Sequence, residues 1–180
     1  MRSMVTRFGP VTKPSDLKGK RMRVMISPIE SKIWTALGSL PVGIPWTDLY
    51  TALQTGTVDA FEGTATGYLS EKLYEVAKYR PLTEHQFMVS AFTMSRKTWD
   101  KLPEPYQKAV WTTAQEANQI GIDDGFKLED DTHKKLESLG VKINKVDKDA
   151  FQKIVMPLHD QMAKELKVSD LLNLIRDLSK

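Results

Sequence analysis

From Lys20 to Ile26 the chain alternates. Met22, Val24 and Ile26 share one face, and Arg21, Arg23 and Met25 share the other, which is the period of a β-strand. Ser27-Pro28-Ile29-Glu30 follows at once: an N-cap residue, a proline suited to the first helical position and the acidic partner of a capping box. This predicts a helix to about Leu37, stopped by Gly38. The unit repeats. Pro41 to Ile44 is a short apolar segment, and Thr47 can cap a second helix with Leu49, Ala52 and Leu53 inward and Gly56 at its end. Thr57 to Phe61 reads as a strand, Gly63 to Gly67 as a loop, and Leu69 to Lys78 as a third helix. His85 to Met94 reads as a longer strand, apolar at Phe87, Val89, Ala91 and Met94. Strands alternating with short helices predict an α/β architecture with a parallel-rich sheet.

The second half changes period. Ser95 caps a short helix containing Trp99, and Tyr106, Val110, Ala114 and Ala117 recur at helical spacing. A single helix from Glu104 to Ser138 would be about 50 Å long at 1.5 Å per residue, long enough to brace two bodies; the alternative is two helices broken near Gly121. Val141 to Val146 reads as a strand. Asp147 or Asp149 caps a helix interrupted by Pro157, and Ser169-Asp170 opens a terminal amphipathic helix with Leu171, Leu174, Ile175 and Leu178.

Composition narrows the classes. The 180 residues fit one domain, or a domain with an extension. With 41% hydrophobic and 27% charged residues the chain is neither collagenous, nor low-complexity, nor a membrane-embedded bundle. A net charge of +3 is too small to argue for nucleic acid, and Lys18-Gly19-Lys20-Arg21 reads as a solvated loop. The absence of cysteine excludes disulfides, thiolate metal sites and cysteine nucleophiles. His85, His133 and His159 have no metal-ligand spacing, so neither a metal nor another cofactor is expected. The first ten residues hold no long apolar run and do not form a secretory signal.

The candidate chemistry centres on Arg23 and Ser27. An arginine near the end of a strand, followed by the free amides of a helix start, is an arrangement that takes a carboxylate or phosphate. The competing reading is an exposed arginine on an ordinary strand. Trp46, between Pro45 and Thr47, can stack on a ligand or pack on Tyr50 as a hydrophobic staple. Glu62 is a ligand contact or a solvated carboxylate. Trp34, Trp99 and Trp111 lie on helical faces and are expected in the core, and His85 is expected to be structural. No nucleophile elbow, Walker loop, dinucleotide fingerprint or zinc-protease motif is present.

Three segments carry a resemblance. Asp16-Leu17-Lys18-Gly19-Lys20-Arg21-Met22-Arg23-Val24 is similar to D-L-K-G-x-K-x-R-V, and Pro45 to Ala60 is similar to P-x-x-E-V-Y-x-A-L-Q-x-G-x-V-D-G. Leu73 to Tyr79 followed by Leu82-Thr83-Glu84-His85 is similar to F-Y-E-V-x-K-Y…L-T-x-H. Their order and separation resemble the solute-binding proteins of TRAP (tripartite ATP-independent periplasmic) transporters, of the dicarboxylate-binding DctP type, from about residue 10 to the end. The resemblance implies a periplasmic-binding-protein-like clamshell that delivers a small organic acid to membrane permease subunits. It implies a periplasmic protein without enzymatic activity. Arg23 falls on the family's carboxylate-binding arginine, and Trp46 where a ring often lies against the ligand. Ser27, Glu62, Gly63 and Thr64 complete the expected ligand-binding set. The family often has an asparagine near Gly63; the Glu62-Gly63-Thr64 found here leaves the identity of the acid open.

The resemblance divides the chain into an entry segment (1–19), a second-lobe α/β ligand-binding domain (20–88), a crossover strand with the long brace helix (89–140), and a strand with C-terminal helices (141–180). Members of this family are close to twice as long, with the additional part N-terminal. Met1 therefore resembles an internal methionine, and the chain is expected to be a fragment lacking most of the first lobe. A small α/β enzyme acting on a carboxylate, with Glu62 or His85, and a ligand-sensing module are the competing readings.

Overall fold

The computed structural model describes residues 1–178. One sheet of six strands organises the chain: β1 (Arg2–Thr6), β2 (Arg21–Val24), β3 (Leu40–Gly43), β4 (Ala60–Thr64), β5 (Tyr79–Leu82) and β6 (Lys142–Lys145), in the order β3-β2-β4-β1-β5-β6. The β2–β3, β2–β4 and β5–β6 pairings are parallel, as the alternation of strands and helices predicts. β1 is antiparallel to both of its neighbours, β4 and β5.

β1 corrects the sequence reading. The segment 1–19, expected as an entry segment, supplies the strand that joins the two parallel groups, and all five β1 residues are buried. Arg-Ser-Met-Val-Thr is too polar to announce a buried strand; Arg2 and Ser3 find partners in distant segments, and the Thr6 hydroxyl donates to the nearby Gly9 carbonyl. Ser3 Oγ accepts from the Glu84 amide, and the Met4 amide donates to Thr83 Oγ1. The sheet thus extends beyond the 20–88 boundary at both ends, since β1 and β6 lie outside it.

The helices α1 (Pro28–Ala36), α2 (Leu49–Gln54), α3 (Ala65–Ser70), α4 (Arg96–Trp99), α5 (Glu104–Ser138), α6 (Lys148–Glu165) and α7 (Ser169–Leu178) surround the sheet. α1 forms as its capping signals require. Ser27 Oγ accepts from the Glu30 amide at 3.5 Å, and Gly38 at φ 88° supplies the left-handed residue that ends it. The expected third helix is instead α3, capped by Thr64, then a 3-10 turn at Leu73–Glu75 and strand β5. α5 passes through Gly121 and Gly125 unbroken. α6 likewise continues through Pro157; the proline removes one backbone bond, and burial of Phe151, Met162 and Ala163 holds both halves.

Two apolar layers sandwich the sheet. On one face Val5 and Phe61 meet Leu49, Leu53, Tyr68 and Leu136, from α2, α3 and α5. On the other, Met4, Met22, Val24 and Ala60 meet Trp34 and Leu37 beside α1 and Phe151 of α6. Residues 87–94 form no strand. Their apolar alternation is real, but only Gln86 bridges to Arg2, and Phe87, Val89 and Phe92 stay exposed. Trp111 of α5, expected in the core, is 62% exposed, whereas Trp34 is buried. Leu171, Leu174 and Leu178 of α7 are also exposed, although Arg176 ties α7 to Asp160 at 2.7 Å. Among the described residues no helix is long and apolar enough to cross a membrane.

Candidate functional site

β2, β3 and β4 run parallel, so their carboxyl ends lie together, and α1, the Trp46 turn and α3 each begin there. That edge is where open α/β sheets take ligands. Arg23 is buried among these ends at 3% exposure, which excludes the reading of an ordinary surface arginine. Its Nε donates to the Ile44 carbonyl at 2.8 Å, and its guanidinium lies 5.4 Å from the centre of the Trp46 ring. Among the described residues Nη1 and Nη2 make no hydrogen bond, so the outer edge of the guanidinium retains the paired donors that match a carboxylate. Burial draws Arg23 below the usual arginine range, with Glu62 opposing that shift and Arg2 adding to it.

Trp46 opens a 3-10 turn, Trp46–Asp48, and α2 begins after Asp48 rather than after the Thr47 cap expected from sequence. Its ring packs edge-on against Phe61, with centroids 6.1 Å apart, and lies over Gly63 and Gly67. Gly67 is the tighter of the two, and the lack of a side chain there is what admits the ring. A Cβ on Gly63 would lie 3.4 Å from the indole, and one on Gly67 would lie 3.3 Å from the indole and 3.2 Å from Thr64 Oγ1. Gly67→Val is therefore expected to displace the ring, shifting the Trp46 indole N–H resonance while those of Trp34, Trp99 and Trp111 hold still. An unmoved Trp46 resonance would show that the ring does not rest on Gly67.

Glu62 faces the other way. In β4 the side chains alternate, so Phe61 and Gly63 line the Trp46 face while Glu62 joins Ala60 and Met4 on the opposite one. There it is fully buried and held by both Nε and Nη2 of Arg2, the former at 2.6 Å. His85 Nε2 stands 3.6 Å away and packs edge-on against Trp34, with centroids 5.5 Å apart. Burial pushes the Glu62 carboxyl up, but His85 and Arg2 outweigh it and hold the group at about 2. Glu62 is thus neither solvated nor open to a ligand on the Arg23 face. Thr64 Oγ1 accepts from the Gly67 amide at 3.1 Å, so its hydroxyl caps α3 as that of Ser27 caps α1.

The structure accordingly brings Arg23, Trp46 and Gly63 together, sets Ser27 and Thr64 at the same strand ends, and turns Glu62 to the far side. The Arg2–Glu62–His85 cluster is absent from the sequence reading because its members are distant along the chain. The pairing of Arg2 with Thr64 and of Met4 with Glu62 is what assembles it. Two open recesses, of about 600 and 550 Å³, lie elsewhere, between residues 87–99 and α5. No group of three His, Asp or Glu residues that could hold a metal occurs among the described residues.

Residues 1–166 match the family model for bacterial extracellular solute-binding proteins, family 7 (DctP). A solute-binding protein of Sulfitobacter sp. (strain NAS-14.1) is 35% identical over 173 residues, covering 93% of this chain and 51% of the relative. A TRAP periplasmic solute-binding protein from Sulfitobacter sp. NAS-14.1, solved with β-D-galacturonate, superposes with a TM-score of 0.92 at 29% identity, covering 98% of this chain and 59% of that one. One from Chromohalobacter salexigens DSM 3043, solved with D-glucuronate, gives 0.93 at 30% identity with the same coverage. The chain spans about half the length of the curated relatives it matches. The two solved relatives are periplasmic solute-binding proteins, and the family model spans most of this sequence: the chain belongs to the DctP family of bacterial extracellular solute-binding proteins.

Proposed function

We propose that this chain forms one wall of a cleft that captures a small organic acid in the periplasm for delivery to the membrane permease subunits of a TRAP transporter. Arg23 carries the reading: a buried guanidinium whose Nη1 and Nη2 are unengaged, beside an aromatic ring, at the carboxyl ends of three parallel strands. In this reading Arg23 grips the carboxylate and Trp46 lies along the body of the ligand. Gly63 leaves room for close approach, and Ser27 and Thr64 keep the helix starts in register around it. Glu62 acts from behind the sheet by fixing Arg2 and β1. α5 serves as a brace, and the exposed apolar residues at 87–94 and on α5 are the surface on which a second lobe packs. Galacturonate and glucuronate, found in the relatives, make hexuronates the first candidates.

Closure around a ligand takes two walls. Calorimetry on the 180-residue chain is therefore expected to give weak binding, in the millimolar range or beyond, for galacturonate and none for neutral galactose. Micromolar affinity would show that one wall suffices, and equal responses to the acid and the neutral sugar would defeat the carboxylate reading.

A further inference from the structure

Arg80 of β5 has no exposed surface and lies in the layer between the sheet and helices α3 and α5. β1 separates β5 from β4, and opposite Gly63 it carries only the small Ser3. The Arg80 side chain reaches across this gap. Its Nη2 donates to the Gly63 carbonyl at 3.4 Å, its Nε donates to His133 Nε2 of α5 at 3.2 Å, and its guanidinium lies 5.8 Å from the centre of the Tyr68 ring. Nη1 is buried without a partner, and among the described residues no carboxylate bonds to this guanidinium.

This geometry fixes the state of His133. An arginine has donors and no acceptor, so the 3.2 Å bond requires His133 Nε2 to be unprotonated, with the ring proton on Nδ1. A second proton would set two N–H groups against each other and place a new positive charge beside one that already lacks a counter-ion. We propose that the Arg80–His133 pair is a proton-sensitive latch, fastening the last three turns of α5 to the sheet while His133 is neutral and releasing them when it is protonated.

The charged groups facing His133 are Arg80 from β5, Glu84 from the turn beyond it, and Glu129 and Asp130 from α5 itself; Tyr68 of α3 faces Arg80. Glu84 is engaged by Lys148, and Glu129 by the Met1 amino group at 2.6 Å. Burial and then Arg80 hold His133 below the usual histidine range against the pull of the three acids, and burial lowers Arg80 itself to about 10. The folded pKa of His133 is depressed, so the latch is intact at neutral pH and weakens as pH falls through 6.5 toward that lower value. Release frees the Gly63 carbonyl, whose residue lies against the Trp46 ring.

The test needs no ligand, so its outcome is independent of the proposed function. Histidine NMR on the 180-residue chain is expected to show His133 titrating below 6.5, with amide exchange across residues 128–138 accelerating beyond the intrinsic rate as it titrates. His133→Gln keeps an acceptor that does not titrate. Its thermal midpoint is expected to fall by several degrees less than that of the parent between pH 7.5 and 5.0. A His133 that titrates at 6.5 or above, unaltered exchange, or equal pH slopes in the two chains would overturn the latch. Should His133→Gln fail to fold, the titration and exchange of the parent chain decide alone.

Discussion

Arg23→Ala is expected to abolish the response to galacturonate. Truncating one partner of a buried, hydrogen-bonded charge pair costs about 2–5 kcal/mol, or at least about thirtyfold in affinity. For the weak site proposed above, that takes binding out of the measurable range. The readout is the Trp46 indole N–H resonance; the ring lies 5.4 Å from the guanidinium and so reports a ligand settling against the pair. Arg23→Lys separates charge from geometry. It keeps the positive charge but loses the parallel donor pair, so it should retain part of the response. A titration unchanged in Arg23→Ala would remove this residue from the site and leave the open Nη1 and Nη2 without a role.

Glu62→Ala is expected to lower the thermal midpoint more than any surface change. It strands the Arg2 guanidinium, 7% exposed, without its carboxylate, and breaking such a buried pair costs about 3–5 kcal/mol. At roughly 2–4 °C per kcal/mol for a domain of this size, the midpoint drops by about 6–20 °C in a circular-dichroism melt. The double change Arg2→Met with Glu62→Leu should recover much of that loss, because neither charge is then buried alone. The pair also sets an acid limit. Glu62 titrates at about 2 when folded against an ordinary 4.5, so its contribution is complete above pH 4.5 and is lost as pH falls from there toward 2. The shift corresponds to about 3 kcal/mol. A melt whose midpoint is level from pH 5 to 3 would contradict it.

What the sequence discloses about this fold follows the range of the interactions involved. The Arg23 strand, the Ser27 cap and the Gly38 stop are local signals, each complete within about ten residues, and each is found where its spacing places it. α5 is legible as helix from its long periodic trace, but Gly121 leaves one helix or two open, and the structure shows one. β1 and β5 are not legible. Arg2, Ser3 and Arg80 look like surface residues until their partners arrive from distant segments, Glu62 for Arg2, Glu84 for Ser3 and His133 for Arg80. The segment 87–94 shows the converse: it has the alternation of a strand, but a strand also needs an edge to pair with, and here only Gln86 finds one. In the site, the type and depth of Arg23 and Trp46 can be argued from motif and fold. The direction of Glu62 depends on the pleat of β4 and emerges only with the register.

The position of β1 has a consequence for how the chain is made. β1 precedes every strand it pairs with; Thr6 waits for Ala60 and then for Tyr79 before either side of it is covered. β2, β3 and β4 can associate through short parallel crossovers as they are synthesised, but they cannot join β5 and β6 until this earlier segment inserts between them. Pairings so distant along the chain slow folding. β1 stays unpaired until β4 has been made, and a holding chaperone that binds residues 1–6 would delay assembly of the whole sheet rather than of one edge.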